Sequence, residues 1–331
     1  MRVAVNGFGR VGRVFTRIAL DRGLEVVAVN DVTDAATLAH LLAHDSTYGR
    51  APFPVEHAAD TLVADGKKIA VFAQRDPARL PWADLGVHVV IESTGKFRTR
   101  DQAAVHLAAG ARKVLISAPA KGEVDATIVM GVNQDAYDPE HHYVISNASC
   151  TTNCAAPMVD VLVRHFGVVR GFLTTIHGYT NDQQLLDGPH KDLRRARSAA
   201  LNIIPTSTGA AKAVGLVIPQ VAGLLDGLAV RVPVPTGSLV DLAVLLAKPV
   251  TAGEVNAAYE ADAADRLRGV LRVADESLVS TDIVRDRASC VLDSALTQAG
   301  DELVKVFGWY DNEWGYTERL ADLAEYVGAR L

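Results

Sequence analysis

Cysteine is scarce in this 331-residue chain, and its three copies are not spaced as a disulfide framework. That excludes a small disulfide-stapled scaffold and predicts a reducing compartment, the cytoplasm by default. A basic excess is lacking too: 33 Lys and Arg face 39 Asp and Glu, a formal net charge of -6. Nucleic acid is therefore not expected as a main partner, whereas a few local arginines suffice for phosphorylated small molecules. No apolar run approaches the roughly 18 residues that a membrane helix needs, so no membrane partner is expected. Met1 leads directly into a strand and a glycine-rich turn, which leaves no room for an export signal. Internal repeats and low-complexity tracts are absent as well. What is present is length for about two domains and 49% hydrophobic residues to fill their cores.

Residues 2–6 read as a short buried strand. Gly7, Gly9 and Gly12 follow in a G-x-G-x-x-G pattern, then a helix over 13–21, a second strand over 24–30 and the acid Asp31. Strand, glycine turn, helix, strand and distal acid together form a dinucleotide-binding fingerprint, which the glycines alone do not. Gly7 permits the tight turn, Gly9 lets the backbone approach a pyrophosphate, and Gly12 allows close helix packing. A carboxylate at Asp31 accepts from ribose hydroxyls and repels an extra phosphate, which favours NAD over NADP; its alternative role is a turn or helix cap. Further strands over 87–94, 113–118, 127–132 and 143–147, with a helix over 100–109, continue a doubly wound parallel sheet. Later strands over 168–177, 227–234, 239–247 and 302–309 are longer and alternate, the pattern of a mixed or antiparallel sheet. Between them, residues 178–200 form a polar, basic loop too long for an ordinary connection. An amphipathic helix with Leu320, Leu323 and Val327 on one face closes the chain.

Cys150 stands where the strand over 143–147 runs into a helix. Most free cysteines are small buried hydrophobes, but Ser149, Thr151, Thr152 and Asn153 surround this one with polar groups suited to an oxygen-rich ligand. Amides at a helix start stabilise anions, so the position predicts a thiol pushed toward the nucleophilic thiolate. Among ten histidines, His177 ends an apolar strand and opens the long loop, a place where such folds face ligands; a satisfied structural histidine is the alternative. Thr206 to Gly209 present hydroxyls and amides at the start of a helix over 210–217. Arg231, inside a strand, needs either an ion pair or an anionic ligand. Arg194, Arg195 and Arg197 read equally as a solvated run. Cys154 lies one helical turn from Cys150, but no neighbouring ligand completes a metal set, so no metal is expected; Cys290 reads as a core thiol.

Taken together, the 6–12 glycine segment, the Ser-Cys-Thr-Thr-Asn-Cys run ending at Cys154, His177, the 203–212 segment and the Trp-Tyr-Asp-Asn-Glu-Trp-Gly run over 309–315 resemble phosphorylating glyceraldehyde-3-phosphate dehydrogenases along the whole chain. The resemblance implies an α/β fold: an NAD-binding Rossmann-type domain over 1–149, completed by a helix over 313–331, and an α+β catalytic domain over 150–312. It makes Cys150 the nucleophile and His177 its base. Arg10, Val11, Asp31, Arg75 and Ser117 match NAD-contacting positions, and Asn312 matches the residue that orients the nicotinamide carboxamide. Thr180, Asp182 and Arg231 match a substrate C3-phosphate site. Ser149, Thr151, Thr208 and Gly209, with Arg195, match an inorganic phosphate site. The loop over about 178–200 resembles the S-loop, which packs against a neighbouring subunit and implies a homotetramer. The implied reaction converts glyceraldehyde 3-phosphate and inorganic phosphate to 1,3-bisphosphoglycerate; erythrose-4-phosphate dehydrogenase is the alternative in the same chemistry. Gly178, where the family usually has a side chain, and Ala155, where leucine is common, depart from the pattern, and the departures are expected either to enlarge the pocket or to change sensitivity to thiol-directed inhibitors.

Overall fold

The early apolar runs bury Val and Ile on both faces, the pattern of a parallel sheet covered by helices. The computed structural model describes residues 1–331, and chain contacts divide them into two units. The first holds Met1–Ile128, Gln134–Ala148 and Thr317–Leu331; the second holds Val129–Asn133 and Ser149–Tyr316. No helix is long and apolar enough to cross a membrane.

In the first unit β1 (Arg2–Asn6), α1 (Arg10–Asp21) and β2 (Glu25–Asn30) come first. They are followed by α2 (Ala35–Ala43), a small hairpin of β3 (His44–Asp45) and β4 (Gly49–Arg50), and the antiparallel run β5 (Val55–Ala58), β6 (Thr61–Ala64) and β7 (Lys67–Phe72). Next come β8 (Val89–Glu92), α3 (Arg100–Ala108), β9 (Lys113–Ile116), β10 (Ala126–Thr127) and β11 (Val144–Ser146). Nine strands make one sheet, ordered β10-β11-β9-β8-β1-β2-β7-β6-β5. Strand order reverses between β1 and β8, where ligands bind in open α/β sheets at the carboxyl ends of the strands.

Gly7 turns the chain there with φ +94°, and a Cβ on it would lie 2.5 Å from the Thr94 nitrogen. A Cβ on Gly12 would lie 2.2 Å from the Gly7 carbonyl oxygen, so α1 reaches its place only because residue 12 has no side chain. The closing helix α7 (Trp314–Gly328) brings Glu318, Asp322 and Glu325, on one helical face, to Arg22 at the end of α1.

The second unit starts with α4 (Cys150–Phe166), β12 (Val168–Gly178), β13 (Ile204–Ser207), α5 (Ala210–Val217), β14 (Leu225–Val232) and β15 (Ser238–Leu246). It continues through α6 (Ala252–Ala264), β16 (Leu271–Ala274), β17 (Cys290–Asp293), β18 (Gln298–Gly300) and β19 (Leu303–Tyr310). Its mixed sheet runs β13-β14-β12-β15-β19-β17-β16, with β18 beside β19. Alternate residues Val240, Leu242, Val244, Val304 and Val306 are buried, on the face where α4, buried from Thr151 to Leu162, packs on β15 and β19.

Several expectations shift. The strand expected over 127–132 ends at Thr127, because the Asn133 side chain takes the Val129 amide at 2.8 Å and Val132 turns back to the Val129 carbonyl. The 204–207 strand was not foreseen; it pairs with β14, exposing alternate residues at the sheet edge. The helix expected from residue 13 begins at Arg10. The units divide inside α7, at Thr317, rather than ahead of it.

Gly12→Ala is expected to cost about 1–3 kcal/mol through overpacking and to weaken NAD binding with it. Urea unfolding and calorimetric NAD titration check this, and a variant as stable and as tight-binding as wild type contradicts it.

Candidate active site

Ala148, just before α4, sits at φ +55°, an uncommon conformation for a residue with a side chain. Ser149 then caps the helix, its hydroxyl accepting the Thr152 N–H at 3.0 Å, so Cys150 occupies the first helical position. Parallel pairing of β12 with β14 sets His177 directly beside Arg231. The Cys150 Sγ lies 3.4 Å from His177 Nε2. His177 Nδ1 lies 2.6 Å from the Gly178 carbonyl oxygen, which can only accept, and 3.2 Å from Arg231 Nη1, whose two hydrogens go to that carbonyl and to Thr180; Nδ1 therefore carries the proton and Nε2 offers a lone pair to the thiol. Arg231 donates to that carbonyl at 3.1 Å and to the Thr180 hydroxyl at 2.8 Å.

The pull toward the thiolate expected from the helix start is present but opposed. Cys150 keeps some surface open but is densely surrounded, and burial pushes its thiol up, outweighing the downward pull of Arg231 and the Thr151 amide. Burial, helped by Arg231, pushes His177 down to about 3. Burial thus works against both the thiolate and the imidazolium, and the Nε2 lone pair stands within reach of the thiol proton.

Asp182 bonds both the Thr180 hydroxyl and Arg195. Burial pushes the Asp182 carboxyl up, but Thr180, Arg231 and Arg195 prevail and hold it below its ordinary value. Arg195 also donates to Thr206 Oγ1 at 2.9 Å and to the Ser207 carbonyl at 3.1 Å. Of the three loop arginines it alone faces inward: Arg194 is exposed, and Arg197 pairs with exposed Asp187. The Arg231 Nε is buried without a partner. Thr208 accepts the Ala210 N–H at 3.2 Å at the start of α5, and nothing lies within 4 Å of a Cβ built on Gly209. The buried Thr151 hydroxyl is engaged with Tyr310 at 3.0 Å, and Tyr310 with Thr175 at 2.8 Å.

In the first unit a cavity of about 270 Å³ is lined by Gly7, Gly9, Asp31 and Arg75 together with Asn6 and Asn30. Asp31 accepts the Phe8 N–H at 2.7 Å, which fixes its carboxylate across the glycine turn. No side chain caps the start of α1, and a Cβ on Gly9 would meet nothing within 4 Å, so the cradle suits a pyrophosphate. Arg10 instead turns to Asp45 and the Tyr48 ring, and Val11, Gly12 and Ser117 are not among the lining residues. Gly12 acts through helix packing.

Asn312, after β19, accepts from the Ser238 hydroxyl at 2.7 Å. Cys154 and Cys290 are fully buried; the Cys154 sulfur faces Met158 and the Gly308 carbonyl rather than a ligand set. Gly178 does not enlarge a pocket, because a Cβ there would come 2.9 Å from the Val234 carbonyl oxygen. Sequence reasoning missed Asn6, Asn30 and Ser238. The two asparagines end β1 and β2, and their position at carboxyl ends of neighbouring strands was the available signal.

A Rossmann-type dinucleotide unit and a mixed-sheet unit carrying a thiol–imidazole pair define the class of an NAD-linked oxidoreductase. Residues 1–100 match the NAD-binding domain of glyceraldehyde 3-phosphate dehydrogenase, and residues 149–312 match its C-terminal domain. Glyceraldehyde-3-phosphate dehydrogenases of Streptomyces coelicolor (58% identical), Geobacillus stearothermophilus (57%) and Mycobacterium tuberculosis (57%) align over 100% of this chain and 99% of their own lengths. The chain belongs to the glyceraldehyde-3-phosphate dehydrogenase family.

Removing the Arg231 charge withdraws a cation that favours the thiolate and disfavours the imidazolium. In Arg231→Leu the pH profile of Cys150 alkylation by iodoacetamide is expected to move to higher pH, while the His177 value rises. A profile displaced to lower pH contradicts this electrostatic account.

Proposed function

We propose that the protein catalyses the NAD-dependent oxidative phosphorylation of D-glyceraldehyde 3-phosphate to 1,3-bisphosphoglycerate. The observation that carries this reading is the Cys150 thiol 3.4 Å from a lone-pair nitrogen of His177. His177 Nε2 takes the thiol proton as sulfur attacks the aldehyde carbon, giving a hemithioacetal on Cys150. The protonated Nε2 then donates to the developing oxyanion. NAD, when bound, supplies the oxidant that turns this adduct into a thioester; Gly7, Gly9, Asp31 and Arg75 hold the cofactor, with Arg10, Val11 and Ser117 contacting it through the backbone or from beside the cavity. Asn312 orients its carboxamide. As the hemithioacetal carbon is oxidised the hydroxyl proton returns to His177; phosphate then forms an oxygen–carbon bond to the acyl group as the carbon–sulfur bond breaks, and His177 passes this proton to the departing Cys150 sulfur.

Two anion sites serve the two phosphates. Arg231, with its buried and unpartnered Nε, takes the substrate C3 phosphate with Thr180, and Asp182 belongs to that site by holding Thr180 and Arg195 in place. Ser149, Thr151, Thr208, Gly209 and Arg195 take inorganic phosphate. The Asp182–Arg195 pair connects the sites, so filling one is felt at the other. Residues 1–149 with 313–331 act as the cofactor domain and 150–312 as the catalytic domain. Leu185, Leu186, Leu193 and Leu201 stand exposed on the 178–200 loop and its edge, which supports burial against another copy in a homotetramer. Three free cysteines suit a reducing cytoplasm.

NADH formation from glyceraldehyde 3-phosphate is expected to require inorganic phosphate and to vanish in Cys150→Ser. Turnover indifferent to phosphate, or selective for erythrose 4-phosphate, moves the assignment to the hydrolytic relative.

A further inference from the structure

Ser238 is fully buried at the start of β15, opposite Tyr310 in the antiparallel register with β19. The Gly178 N–H donates to its hydroxyl oxygen at 3.1 Å. The single Ser238 hydrogen then goes to Asn312 Oδ1 at 2.7 Å. Thr236 Oγ1 lies 3.1 Å from that same oxygen, but it also lies 2.9 Å from a carboxylate oxygen of Asp311, so its one hydrogen has two claimants. The buried Ser238 hydroxyl has Asn312 Oδ1 as the acceptor for its hydrogen, and a flipped amide would leave that hydrogen unsatisfied, so Ser238 is the group that decides which end of the amide faces inward. With Oδ1 held by a hydroxyl donor, the opposite end of Asn312 is the NH2, which can only donate.

We propose that Ser238 is a positioning residue that locks Asn312 as a hydrogen-bond donor, so that the site reads an acceptor oxygen on the nicotinamide ring substituent. The proposal rests on the reading of Asn312 as the group that orients the carboxamide. It has a consequence that a packing role for Ser238 does not share. A carboxamide carries both an acceptor and a donor, so it can meet Asn312 in either orientation. A carboxylate at the same ring position has only acceptors and needs the NH2 end.

The test is calorimetric binding of NAD and of nicotinic acid adenine dinucleotide, its carboxylate analogue, to wild type, Ser238→Ala, Ser238→Cys and Asn312→Ala. In Ser238→Ala the dissociation constant for the carboxylate analogue is expected to rise about tenfold more than that for NAD, the lower end of the worth of one hydrogen bond to a charged group. Ser238→Cys keeps the size and a weak donor, so the ratio is expected to fall between those of wild type and Ser238→Ala. Equal weakening of both dinucleotides overturns the proposal and leaves Ser238 a packing residue. If Ser238→Ala does not fold, the Cys variant decides alone: a changed ratio supports the lock and an unchanged one removes it. Asn312→Ala separates the two ideas, because unchanged affinity for both dinucleotides there means that the reading of Asn312 has failed.

Discussion

The Gly178 carbonyl is the pivot of the catalytic unit. It accepts hydrogen bonds from His177 Nδ1 at 2.6 Å and from Arg231 Nη1 at 3.1 Å, and with the second Nη1 hydrogen on Thr180 these bonds set the imidazole tautomer and the place of the nearest cation. Everything at the thiol follows from that. Nε2 is left as a lone pair 3.4 Å from sulfur, and the guanidinium sits where it pulls the Cys150 thiol down and discourages protonation of His177. Sheet register supplies the arrangement, since His177 and Arg231 are direct partners on parallel strands. A slip of one residue would turn one of them to the opposite face.

Burial penalises both the thiolate and the imidazolium. Proton transfer from Cys150 to His177 would create the two charges together, 3.4 Å apart, where each would stabilise the other in surroundings that screen poorly. Beyond this pair the charged groups form a chain, from Arg231 through Thr180 and Asp182 to Arg195. That chain places the Asp182 carboxylate between two cations, Arg231 and Arg195, and offsets their repulsion.

Much of this was legible in the residues. The glycine turn, Asp31 and the strand-helix alternation follow from local periodicity and from the need of a pyrophosphate for bare backbone. Cys150 and His177 stood out because each sits at the end of an apolar strand amid polar neighbours. What was not legible is pairwise. No spacing rule tells which of Arg194, Arg195 and Arg197 turns inward, because that depends on Asp182 and Thr206 arriving from elsewhere in the chain. The balance at Cys150 was misjudged for a related reason: helix-start amides are visible in a sequence, whereas the density of surrounding protein is not. Ser238 carried no signal at all, being a serine within an apolar strand, and its role appears only when hydrogens are counted at Asn312.

The most direct test of the account is the covalent one. The protein is mixed with glyceraldehyde 3-phosphate and NAD in phosphate-free buffer at millisecond to second times, quenched in acid, digested and weighed by mass spectrometry. The account predicts an acyl adduct on the peptide carrying Cys150 that disappears when phosphate is added before the quench, with Cys154 and Cys290 unmodified. NADH formed in the burst with no adduct on Cys150, or an adduct on another residue, would contradict it.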